Sequence, residues 1–168
     1  MRIITSSLPI FATMLICSGC VTQAKSPSSS INATSAQVTP ALPAIDTAAA
    51  QRLLSVDQTL QTLDLGKAGS QIVTGRIVGH KSASYALLVR AGQRLDVTMD
   101  TPSDAAYFNV QDVRDQSGAA VFAGEMSSAH YGSVRATSDT TYLIRPYLNR
   151  GVARRGTSAD YTLKIELH

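Results

Sequence analysis

From Ser70 onward the chain alternates apolar and polar residues in short runs, with Gly, Asp, Ser and Asn between them. A period of two puts successive side chains on opposite faces, so each run predicts a strand buried on one side. The candidate strands are residues 70–79, 83–91, 93–100, 105–113, 119–124, 132–137, 141–149 and 160–167. Short strands about ten residues apart, broken by turn residues, suit a β-sandwich or a small barrel. The fold predicted is all-β: a single small antiparallel β-sandwich of about eight strands.

Turn chemistry sharpens parts of this pattern. Ala91-Gly92 separates two alternating runs too closely for anything but a hairpin, and Gly92 can adopt the positive φ that a tight turn needs. That register puts Leu95, Val97 and Met99 on the buried face and Arg94, Asp96 and Thr98 on the outer one. Asp115 and Gly118 mark a second bend in "RDQSGAA". The last run alternates most clearly, with Tyr161, Leu163, Ile165 and Leu167 inward and Thr162, Lys164 and Glu166 outward.

Upstream the texture differs. Residues 44–63 carry Leu53, Leu54, Leu60 and Leu63 at helix-compatible spacing after an Asp46-Thr47 start, which predicts either a short helix or an extended lead-in to the first strand. Residues 21–43, rich in Ser, Thr, Ala and Pro and almost uncharged, bury too little surface to fold and predict a tether. The first nineteen residues have the form of a signal peptide: Arg2 at the positive end, then an apolar run from Ile10 to Ile16 too short to span a bilayer. It ends in "LICSGC", which resembles a bacterial lipobox with Cys20 as the lipidated residue; cleavage near Gly19 or Ala24 by an ordinary secretory route is the alternative. The expected organisation is 1–19 signal peptide, 20–64 lipidated tether with a possible short helix, and 65–168 sandwich domain. With Cys17 removed and Cys20 acylated, no disulfide remains possible, and lipid at Cys20 anchors the domain to a membrane. Val21 after the cysteine, by resemblance to Gram-negative lipoproteins, implies the periplasmic side of the outer membrane.

A chain of 168 residues with net charge +3, no Trp and 5% aromatic residues is too weakly basic and too poor in stacking side chains for a nucleic-acid binder. Catalytic patterns are also missing. There is no G-x-S-x-G elbow and no Gly-rich phosphate loop followed by a helix. His80, His130 and His168 are scattered rather than paired at zinc-ligand spacing. The pairs Asp96/Asp100 and Asp112/Asp115 read as solvated surface charge rather than as acids flanking a sugar cleft. The expectation is a binding protein, not an enzyme, that needs no cofactor and no metal.

One stretch stands apart. "RPYLNRGVARRGTSADY", residues 145–161, holds four arginines and no carboxylate before Asp160. With Gly75-Arg76-Ile77-Val78-Gly79, Tyr85, Ala91-Gly92-Gln93, the segment from Tyr142 to Arg155, and Tyr161-Thr162-Leu163-Lys164-Ile165, the chain resembles the periplasmic inhibitors of goose-type lysozyme. Those proteins share an early G-x-I-x-G strand, a Tyr strand, a K/A-x-G-Q hairpin and a closing Y-x-x-R-x-x-x-x-R-x-x-A-R-R/K segment before a final Y-x-(V/L)-x-I strand. The similarity extends over roughly a hundred residues; Ser138 to Tyr142 departs from it, being one residue longer than S-G-x-Y and lacking the glycine. The resemblance implies a small β-sandwich whose partner is a lysozyme or another muramidase. In it, Arg150, Arg154 and Arg155 enter the enzyme's acidic cleft, with Tyr85 and Tyr147 as neighbouring contacts.

Blander readings stand beside these. The arginines also fit a solvated hairpin end near anionic lipid, Arg145 a structural partner of a buried carbonyl or of Asp160, and Tyr85, Tyr142 and Tyr161 the core. At the level of function, the alternatives are a non-catalytic cell-envelope module and an immunity protein against a muramidase toxin.

Overall fold

A computed structural model describes residues 43–66 and 69–168, in the order α1 (Thr47–Leu53), β1 (Gln58–Leu63), β2 (Ser70–Val78), β3 (Ser82–Val89), β4 (Arg94–Asp100), β5 (Ala106–Asp112), β6 (Ala120–Ala123), α2 (Gly124–Ser127), β7 (Tyr131–Arg135), β8 (Thr140–Leu148), α3 (Arg150–Ala153) and β9 (Ser158–Leu167). The strands form two sheets, ordered β1-β3-β8-β5-β6 and β2-β9-β4-β7. Every pair is antiparallel except β1 with β3.

Strict alternation builds the layer between the sheets. Tyr85, Leu87 and Val89 of β3, Phe108 and Val110 of β5, and Tyr142 and Ile144 of β8 meet Ile77, Leu95, Val97, Met99, Tyr161, Leu163 and Ile165 from the second sheet. This is the sandwich that the period-two pattern predicts, and each fully buried Leu, Ile, Val or Phe contributes about 1.5–3 kcal/mol to holding it.

The outer face of the five-stranded sheet is covered only in part. Asp46 caps α1, its Oδ1 accepting from the Ala49 amide at 2.8 Å while its own amide donates to Thr141 Oγ1 at 2.8 Å. Ala49 and Ala50 of the helix thereby rest on Ala86, Val113 and Leu143 in a second small core, with Ile45, Leu53, Leu54 and Leu60 at its edge. Beyond Leu143 the outward residues of β8 and β5 are polar: Arg145 and Tyr147, Asn109 and Gln111.

Three expectations are corrected. Residues 44–63 hold both a helix and a ninth strand, so the folded body begins upstream of residue 65. Leu60 and Leu63 imitate helical spacing because they lie on opposite faces of β1, Leu60 against the helix and Leu63 in the main core. Ala91-Gly92 does form a tight turn, with the Gln93 amide donating to the Arg90 carbonyl at 3.0 Å and Gly92 at φ +84°. It is not a hairpin, however: β3 and β4 belong to different sheets, and the turn carries the chain across the sandwich. Asp96 lies on the outer face but is buried, held between Ser133 Oγ at 2.6 Å and Arg94 Nε at 3.1 Å.

Candidate functional site

The arginine-rich segment folds as a short, well-anchored turn between β8 and β9. Asn149 starts it: its amide donates to the Ala105 carbonyl at 2.8 Å and its side chain accepts from the Val152 amide at 3.1 Å. Ala153 is buried and its carbonyl accepts from the Gly156 amide at 2.9 Å, where a positive φ of +70° ends the turn. Gly79, on the neighbouring connection, donates its amide to the Thr157 carbonyl at 2.8 Å and passes so close that a Cβ there would lie 3.2 Å from the Ala153 carbonyl oxygen.

These ties leave the outer side of the turn to the guanidiniums. Arg150, Arg154 and Arg155 are all exposed. Four residues apart on a helical turn, Arg150 and Arg154 share a face. None of the three makes an ion pair or a side-chain hydrogen bond among the described residues, whose ion pairs join Arg76 to Asp160, Arg94 to Asp96, Arg114 to Asp112, Lys164 to Glu166 and His168 to Asp96.

Next to Arg150 the uncovered part of the five-stranded sheet opens into a cleft of about 490 Å³. It is lined by half-buried Gln58, Asn109, Arg145 and Tyr147 and by exposed Asp57, Glu125 and Arg150. Arg145 reaches across the sheet: its Nη1 donates to Gln111 Oε1 at 2.9 Å and its Nη2 to Gln58 Oε1 at 2.7 Å. Burial pushes this guanidinium below the usual arginine range. Burial also pushes the Tyr147 hydroxyl up, so it stays a protonated donor at neutral pH. The Tyr147 ring lies 6.3 Å from that of Tyr107, which meets His130 edge-on at 5.7 Å.

The structure therefore brings Arg150, Arg154, Arg155 and Tyr147 to one end of the molecule and removes Tyr85 from it. Tyr85 is 1% exposed, and its hydroxyl lies 2.9 Å from that of Tyr161 in the middle of the sandwich. It cannot touch a partner, because the inward face of β3 points into the core. Asp160, considered as a partner of Arg145, is engaged by Arg76 at 3.3 Å instead. Cys20 lies outside the described residues. Among those residues no group of three or more His, Cys, Asp or Glu is arranged to hold a metal ion.

The part that sequence reasoning missed is the cleft. Its lining comes from five separate segments, and no single stretch of sequence carries their juxtaposition; the one legible sign is that Asn109, Gln111, Arg145 and Tyr147 make the outward positions of two central strands polar.

No family model matches the chain, and no curated protein matches it. Solved structures do. PliG of Aeromonas hydrophila, a periplasmic inhibitor of g-type lysozyme, superposes with a TM-score of 0.58 at 26% identity, over 67% of this chain and 98% of that one. The chain resembles PliG. The Escherichia coli PliG mutant, 18% identical over 66% and 98% of the two chains, and Salmonella Typhimurium PliG, 16% identical over 65% and 97%, both with a TM-score of 0.50, share the fold. Nearly the whole of each PliG is thus matched, and the likeness named from the Gly75, Tyr85 and Tyr142–Arg155 stretches has its counterpart in three dimensions.

Proposed function

We propose that this protein is a periplasmic lysozyme inhibitor, held at the outer membrane by lipid on Cys20, that blocks the cleft of a goose-type lysozyme with Arg150, Arg154 and Arg155. The observation that carries this reading is the pairing of a PliG-like body with three exposed guanidiniums, without an ion-pair partner among the described residues, on a turn fixed by Asn149 and Ala153.

The physical case rests on complementarity. A muramidase holds carboxylates along a groove shaped for a sugar chain. A guanidinium offers a planar fork that meets a carboxylate with two parallel charge-assisted hydrogen bonds, which lysine cannot do. Presenting that fork on a turn already ordered by backbone hydrogen bonds lowers the entropy lost on binding. Tyr147 beside Arg150 adds a large amphipathic contact of the kind concentrated at interface centres. A net charge of only +3 is compatible with this, because the attraction is local and the long-range field mainly speeds encounter. The direct experiment is lysis of purified cell walls by a goose-type lysozyme with and without the purified protein, chicken- and invertebrate-type enzymes serving as comparison.

A further inference from the structure

Arg145 is a half-buried charge that meets no opposite charge among the described residues. Its two contacts closer than 3 Å are both to neutral carboxamides, Gln111 and Gln58, and no carboxylate lies within 4 Å of it among the described residues. A guanidinium has five N–H donors; these two bonds and a longer one from Nη2 to the Ser55 hydroxyl at 3.5 Å use three of them. Removing such a group from water without an ionic partner is costly, and a fold normally offsets the cost with a carboxylate. Here glutamines stand on both sides. They hold the fork in place without neutralising it.

The surroundings are built the same way. Ser82 and Ser84 of β3 are buried, and their hydroxyl oxygens have no hydrogen-bond partner among the described residues. By the alternation of β3, whose Tyr85 and Leu87 point into the main core, both serines lie on the outer face that Arg145 crosses to reach β1. The two acids at the cleft, Asp57 and Glu125, are exposed and leave Arg145 unpaired. Helix α1 covers the neighbouring stretch of the same face but stops short of this one.

We infer that the cleft beneath the Arg150 turn is a carboxylate receptor, in which Arg145 is the fixed fork and Tyr147 a second donor, and that its ligand is an acidic side chain of the bound protein partner. The inference rests on the inhibitor reading for the identity of that partner: Arg150 both lines the cleft and belongs to the proposed contact turn, so a partner seated on the turn covers the cleft as well. Arg150, Arg154 and Arg155 would enter the partner, while one acid of the partner enters this protein.

The receptor can be tested without any enzyme. The Nε–Hε resonance of Arg145 in the purified protein is followed by NMR during titration with propionate, which mimics a glutamate side chain, and with propionamide at matched ionic strength. A saturable shift with propionate alone is expected. Arg145→Gln removes the fork but also two ties across the sheet, so the decisive variant is Gln58→Glu, which supplies an internal carboxylate and should weaken propionate binding by about tenfold or more. A purely structural Arg145 predicts no saturable response. That result, an equal response to propionamide, or undiminished binding by Gln58→Glu would overturn the receptor. In the lysis assay Gln58→Glu should inhibit more weakly than the parent; undiminished inhibition would overturn the assignment of the ligand to lysozyme. Absence of inhibition by the parent protein contradicts the inhibitor reading instead, and leaves the titration to decide the receptor.

Discussion

The hydroxyls of Tyr85 and Tyr161, one from each sheet, meet at 2.9 Å in the core of the sandwich. Each is the other's partner, so Tyr85→Phe or Tyr161→Phe strands a buried hydroxyl and should cost about 1–3 kcal/mol in denaturant unfolding. The double variant should cost less than the sum of the two singles, because it leaves no orphan. Gly75 belongs to the same arrangement: a Cβ there would collide with the Tyr161 hydroxyl and ring, so Gly75→Ala should destabilise by about 1–3 kcal/mol through overpacking.

The same pair sets an alkaline limit. Burial, reinforced by the hydrogen bond to Tyr85, raises the Tyr161 pKa above the ordinary tyrosine value. A raised folded-state pKa gives stability that is complete below the unfolded value of about 10 and is lost as pH rises beyond it. Thermal midpoints measured from pH 8 to 11 should fall above about pH 10, and Tyr161→Phe should flatten that fall.

Acid acts through Asp96 and Asp112. Burial alone would raise both pKa values, but Ser133 and Arg94 around Asp96, and Arg114 and Thr140 around Asp112, outweigh it and hold both carboxyls below the usual range. Depressed folded-state values give stability that is present above the unfolded pKa of about 3.9 and is lost as pH falls below it. Asp112→Asn should be less stable than the parent at pH 7 and should show a shallower loss between pH 4 and about pH 2.

Leu63 tests where the folded body begins. It is buried in the main core from β1, so Leu63→Ala should cost about 2–5 kcal/mol, whereas a position in a tether would cost nothing measurable. Urea unfolding distinguishes the two.

The strands after Ser70 were legible because their core-facing positions are apolar and most of the positions between them polar or small, which writes a period of two into the sequence even where β3 and much of β8 are buried on both faces. Strand β1 was not, since Leu60 and Leu63 face different cores and their spacing imitates a helix. The Ala91-Gly92 turn was legible in its backbone and not in its topology: a glycine reports a positive φ, and only the contacts of the flanking strands decide which sheet each joins. At the site, Arg150, Arg154 and Arg155 stood out as a run of charge without carboxylates. Tyr85 carried two readings, and burial on the inward face of β3 decided for the core. The Arg145 cleft left almost no trace, because its floor is assembled from residues as far apart as Gln58 and Tyr147.

Arg154→Ala combined with Arg155→Ala separates binding from folding. Both side chains are exposed and make no ion pair among the described residues, so stability should change by less than about 0.5 kcal/mol. If both guanidiniums are buried against carboxylates in the complex, inhibition should weaken by about 2–5 kcal/mol, read as the shift in inhibitor concentration giving half-maximal lysis.

The most direct measurement is the rate at which a goose-type lysozyme clears a suspension of purified cell walls as the purified protein is added. The account predicts that lysis falls towards zero as inhibitor reaches and exceeds the enzyme concentration, and that the Arg154→Ala, Arg155→Ala protein, folded to the same degree, requires far more. Undiminished lysis at saturating protein, or equal inhibition by the doubly substituted form, would contradict it.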